Sequence, residues 1–126
     1  MLQEGFRHGF SNEAWDMAKV QAKDILRRVA RRQSLIPYSE LAARITHAPM
    51  EAQDPRFFHF LGEISSEEDD AGRGLLTVLV VHKTGDMKPG PGFFELAQVR
   101  GRDVRDPEQC WVEELKKVYR TWEKAA

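Results

Sequence analysis

The best strand in this chain is Leu75 to His82, a short valine-rich apolar run between Gly74 and Gly85. The other strongly patterned segments repeat their apolar residues every three or four positions, so sheet can form only a small part of the fold. Thr84 to Gly92 follows the run with three glycines and two prolines, which demands a turn. Gly92 to Gln98 is then expected to return as the partner strand, with a short helix from Phe94 as the alternative. The expectation is one β-hairpin in a helical setting.

The helical segments carry start signals. Residues 1–10 read as a loose arm, with Gly5 and Gly9 directly before Phe6 and Phe10. Ser11 can cap a long helix over 11–33, whose Trp15, Ala18, Ala22, Ile25, Leu26 and Val29 form one apolar stripe. Pro37 breaks the chain before a short helix over 39–46, for which Ser39 is the expected cap. Asp54-Pro55 opens a third helix over 55–65, with Phe57, Phe60, Leu61 and Ile64 facing inward. The acidic, glycine-containing stretch from Ser65 to Gly74 reads as an exposed loop. Asp106-Pro107 repeats the capping signature and opens a last helix over 107–123, carrying Trp111, Leu115, Val118 and Trp122 on one face. The core is expected to bury Trp15, Ile25, Leu41, Phe57, Leu61, Val78, Val80 and Trp111.

The fold class is therefore α+β: three helices, a hairpin and a C-terminal helix. That order matches a winged helix-turn-helix, with residues 1–10 as a flexible arm and 11–126 as a single winged-helix-like domain. At 126 residues the chain is long enough to enclose a core. Its formal net charge of −1 means that any affinity for a polyanion has to come from a local patch. Cys110 is the only cysteine, which excludes an intramolecular disulfide and a cysteine-rich zinc site. The run Leu75 to Val81 is too short to cross a bilayer and the N-terminus has no apolar leader, so a cytoplasmic location without membrane contact is expected.

The segment Ile36-Pro37-Tyr38-Ser39-Glu40-Leu41-Ala42 resembles the start of the helix-turn-helix in the DNA-binding domain of alkylguanine-DNA alkyltransferases and their alkyltransferase-like relatives. In that family a "tYxxLA" helix precedes a second helix, an apolar strand and a glycine-containing turn. The order of elements is similar here from about residue 25 to residue 92, and the YSELA stretch is close in sequence. The family's Pro-Cys-His-Arg motif is absent, and Cys110 lies beyond the hairpin, so the resemblance implies a fold and not alkyl transfer. Residues 72–76 together with 89–97 also resemble small bacterial proteins of the same layout, a likeness that carries no activity.

Several groups could bind or react. Tyr38 and Ser39 open the first helix of the helix-turn-helix. Arg56 and His59 lie on the outward face of the third helix, the element that enters the major groove in this motif. Lys83 and Lys88 flank the turn that would be the wing and could reach a nucleic-acid backbone. Those six residues are the candidate nucleic-acid contacts. Glu63 and the acidic run Glu67-Glu68-Asp69-Asp70 oppose a phosphate backbone, which weakens the usual docking mode. Arg27, Arg28, Arg31 and Arg32 crowd the end of the first helix, where cations suit its dipole and could also grip phosphate.

A metal could be imagined at His47, His59, Glu63 and His82 or in the acidic run, but only His59 and Glu63 stand one helical turn apart. A hydrolytic centre would have to gather Glu63, Arg73, His82, Lys83 and Glu95 around the hairpin, and no known spacing links them. Cys110 beside Trp111 has no identifiable base. The sequence thus points to a non-catalytic binding module with no metal or cofactor. Its partner would be nucleic acid, through the wing and third helix, or a protein that handles nucleic acid. A small hydrolase or nuclease-like enzyme, and a structural or adaptor protein, are the alternatives.

Overall fold

The structure, a computed structural model, describes residues 6–83 and 88–124. It begins with β1 (Phe6–Arg7) and β2 (Phe10–Ser11), paired antiparallel with Arg7 opposite Phe10. The two residues between them, His8 and Gly9, have φ of 54° and 87°, as a tight hairpin turn of primed type requires. The loose arm expected over residues 1–10 is thus a hairpin from Phe6 onward; residues 1–5 lie outside the described residues.

Helix α1 (Asn12–Arg31) starts where Ser11 accepts the N–H of Ala14, and its apolar stripe is buried along Trp15, Ala18, Ala22, Leu26 and Val29. β3 (Ile36–Pro37) leads directly into α2 (Tyr38–Arg44). Pro37 occupies the cap position with no side-chain bond, so Ser39 sits inside the first turn and is not the cap. α3 (Pro55–Asp70) is capped by Asp54, whose carboxylate accepts the N–H of Arg56. α4 (Pro91–Val99) and α5 (Pro107–Lys124) complete the order, with Asp106 accepting the N–H of Gln109 at the start of α5. The chain is α+β in class and predominantly helical. Of the expected core, Ile25 and Trp111 are only half-buried, while Trp15, Leu41, Phe57, Leu61, Val78 and Val80 are enclosed.

The expected hairpin does not form. Leu76–Leu79 is a turn of 3-10 helix, and only β4 (Val80–Val81) is extended. β4 pairs parallel with β3, Ile36 against Val80 and Pro37 against Val81. A short, continuously apolar run does not distinguish a strand from any other fully buried segment. Here side chains take over the backbone groups that a partner strand would have used. Glu114 accepts the N–H of Leu75 at 2.8 Å, Ser65 accepts that of Thr77 at 3.0 Å, and the Trp111 indole donates to the Val78 carbonyl at 3.1 Å. Gly92–Gln98, expected as the second strand, belongs to α4. Gly90 and Pro91 make a helix start, and Phe93, Leu96 and Ala97 turn inward at helical spacing. The turn expected over Thr84–Gly92 falls at 84–87 outside the described residues.

A second correction concerns the acidic stretch. Its residues 65–70 are the last turns of α3 and only 71–74 lie beyond the helix, and each of its four carboxylates holds a cation. Glu67 binds Lys19 and Lys23 at 2.7 and 2.8 Å. Glu68, fully buried, receives a two-pronged bond from Arg73 at 2.7 and 3.0 Å, with Lys23 and Arg27 beyond it at 3.8 and 3.9 Å. Asp69 takes Arg100 at 2.8 Å and Arg102 at 2.7 Å, and Asp70 takes Arg100. Burial alone would raise the Glu68 pKa, but Arg73, with Lys23 and Arg27 behind it, holds it below the usual carboxylate range. Arg102, with Arg100 adding to it, holds Asp69 well below that range. Negative charge at a helix C-terminus opposes the helix dipole, and these cations from α1 and the 73–102 region offset that cost.

Candidate binding cleft

The parallel pairing of β3 with β4 sets the residues that follow each strand side by side. Tyr38 and His82 therefore meet, ring centroids 5.1 Å apart and tilted by 47°. The Tyr38 hydroxyl accepts the N–H of Gly90 at 3.0 Å, and burial raises the phenol pKa against the lowering effect of that bond. A β-carbon on Gly90 would lie 3.2 Å from His82 Nε2 and 3.5 Å from the Tyr38 hydroxyl, so a side chain there would require the His82 ring to give way slightly. The His82 backbone N–H donates to the Lys88 carbonyl at 3.0 Å. Phe58 of α3 and Ala52 and Gln53 before it complete a pocket of about 240 Å3 around the two rings.

Tyr38 and Phe58 also form one end of a larger cleft, about 510 Å3, that runs between α3 and α4. Leu61, Thr77, Phe93 and Leu96 line its apolar interior, Val99 stands at its far end, and His59, Glu63, Ser66 and Glu95 contribute the polar edge. Phe58 and Val99 are 49% and 83% exposed, apolar surface that the rest of the described chain leaves uncovered.

The six candidate contacts are scattered with respect to this corner. Tyr38 is in it, Lys83, exposed, directly follows His82, and Lys88, partly buried, is tied to His82 through its carbonyl. Ser39 is exposed on α2. Arg56 is engaged elsewhere: its guanidinium grips Asp54 at 2.7–3.1 Å, donates to the His8 carbonyl at 3.2 Å and covers the Phe10 ring at 4.8 Å. His59 stacks on His8 with centroids 5.2 Å apart. Arg56 and His59 thus fasten the N-terminal hairpin to α3. The arginines at the end of α1 are largely engaged too, Arg28 with Asp24 at 3.1 Å and Arg27 and Arg31 over the Trp122 ring at 5.0 and 5.9 Å.

The residues considered for hydrolysis divide. Glu63 and Glu95 share the larger cleft and His82 the adjoining pocket, whereas Arg73 is bound to Glu68 at the opposite end of α3. Glu63 accepts from the Trp15 indole at 2.9 Å and from Lys19 at 3.1 Å, which gives it a structural task. Burial by itself would lower the Lys19 pKa, but its bonds to Glu67 and Glu63 raise it. Cys110 is buried, and burial raises its pKa, away from a reactive thiolate. Among the described residues no three histidine, cysteine or acidic side chains are grouped to hold a metal ion, and no helix is long and apolar enough to cross a membrane.

Sequence reasoning passed over Phe58, Gly90 and Val99. Phe57-Phe58 did carry a signal, since two adjacent phenylalanines cannot share one helical face and one of them must point outward. Comparison of the chain with protein families, with curated proteins and with solved structures finds no match.

Proposed function

We propose that the protein is a non-catalytic nucleic-acid-binding module of winged-helix type that stacks an unpaired base in the Tyr38–Phe58–His82 corner. The observation that carries this reading is the corner itself, an open pocket walled by three aromatic rings. Bases out of a duplex bind to such surfaces by stacking, at about 1–3 kcal/mol per base. Lys83 and Lys88, beside the corner, supply the phosphate contacts. α2 and α3 serve as the helix-turn-helix pair of this reading. Reading of duplex DNA by α3 has less support, because Arg56 and His59 are occupied by the N-terminal hairpin. Catalysis also has little support, since the Tyr38 hydroxyl and the Glu63 carboxylate already serve internal partners.

The test is a fluorescence titration of labelled oligothymidine and of duplex DNA at about 50 mM salt, where electrostatic association is strong. The single strand should bind more tightly than the duplex, and Phe58→Ala should weaken it about tenfold, the loss of one stacking contact. Replacing Lys83 and Lys88 together by Glu should flatten the salt dependence. Absence of binding to either oligonucleotide ends the nucleic-acid reading.

A further inference from the structure

We infer that the cleft between α3 and α4 is the docking groove for a short amphipathic segment of a partner protein, one that carries lysine or arginine beside its apolar anchors. The inference goes beyond the nucleobase reading and meets it only at Tyr38 and Phe58, which border both spaces.

Two observations carry it. The first is the charge of the groove. Its lining includes two carboxylates, Glu63 and Glu95, and neither lysine nor arginine. Glu63 has Lys19 at 3.1 Å to balance it, whereas Glu95 stands exposed on α4. A phosphate backbone is repelled from such an edge, while a cation on an apolar segment is drawn to it. The interior is apolar, with Leu61, Phe93 and Leu96 between the exposed Phe58 and Val99.

The second is Gly62. It sits in the interior of α3, where glycine is among the poorest helix formers. A β-carbon built on it meets no atom within 4 Å, so no neighbour in the described fold needs the space. The residue lines the groove, and a missing side chain there lets another backbone come close. The cost that glycine imposes on α3 is thus explained by an occupant, not by internal packing. α4 offers Gly92, Glu95, Leu96 and Val99 along the groove, a face about two helical turns long, so the occupant is a helix of similar length with anchors at i and i+3 or i+4.

The probe is a short synthetic helix with leucines at i, i+3, i+4 and i+7 and lysines elsewhere, compared with the same peptide bearing glutamates. Binding to the full chain is followed by amide NMR shifts. The lysine peptide should shift residues of α3 and α4 along the groove and bind about tenfold or more tighter than the glutamate peptide, and Glu95→Lys should reverse that order. Gly62→Ala should raise or preserve the thermal midpoint and yet weaken the peptide, and Gly62→Leu should abolish it; a purely structural glycine would show no such split. Equal binding of the two peptides, shifts away from the groove, or unchanged binding by Gly62→Leu would overturn the inference. So would oligothymidine producing the same shifts along α4, which would assign the groove to nucleic acid. A concentration-dependent dimer that Val99→Asp dissociates would assign it to a second copy of the chain instead.

Discussion

The two ends of α3 put similar raw material to opposite uses. Its last turn is the most acidic stretch of the chain, yet Glu67, Glu68 and Asp69 are held by cations from three other segments and Glu68 is fully enclosed. Its first turns are aromatic, yet Phe58 is left half exposed at the mouth of an apolar cleft. At the charged end Glu68 is closed off, and at the apolar end Phe58 is left open. Charge in a sequence is therefore no guide to surface when counter-charges elsewhere in the chain can reach it, and the informative feature is the apolar group left uncovered.

The largest effect should come from breaking the closed end. Glu68→Ala leaves Arg73, Lys23 and Arg27 facing one another without their shared carboxylate, and should cost about 3–5 kcal/mol in urea unfolding. A loss below about 1 kcal/mol would show that packing, not the ion network, holds that end. Next comes the wall between the two regimes: Leu61, 6% exposed, should cost about 2–5 kcal/mol when cut to alanine. An unchanged thermal midpoint would mean that Leu61 belongs to the open cleft and not to the core.

Acid should reach the closed end before the open one. Glu67, Glu68 and Asp69 have folded pKa values below their unfolded ones, so their contribution is present above the unfolded values, about pH 4, and is lost as pH falls through the folded ones. Urea midpoints should agree between about pH 7 and pH 5 and drop by about pH 3. Glu68→Ala should show a shallower drop, and an equally steep one would place the acid-sensitive groups elsewhere. The smallest effect on stability belongs to the open end. Phe58→Ala should change unfolding by less than about 1 kcal/mol, while removing a wall from both binding spaces. A larger loss would make Phe58 a core residue and deprive the corner of its meaning.

Much of the fold was legible before any coordinates. Ser11, Asp54 and Asp106 cap helices where their side chains announce them, and the stripes of α1 and α3 are buried as their spacing requires. Those are local signals: a side-chain oxygen within reach of a free N–H, and a 3.6-residue period, need nothing from the rest of the chain. The candidate site was legible only in part. Tyr38 was marked by its place at the start of α2, and Lys83 and Lys88 by their turn. The corner depends on Tyr38 meeting His82, and that follows from a parallel pairing of two-residue strands with no period of its own.

The sequence by itself determined where α1, α3 and α5 start, which faces α1 and α3 bury and that sheet is minor. Tertiary structure alone decided three things. Leu76–Leu79 coils because side chains of α3 and α5 satisfy the backbone of the run, leaving no need for a partner strand. Glu67 to Asp70 continue a helix because lysines and arginines distant in sequence neutralise them. Phe58, Gly62 and Val99 come to line one cleft because α4 is a helix beside α3 and not a strand. Each of these is settled by groups far apart in the chain, and a pattern read along the chain measures only the interactions a residue has with its near neighbours.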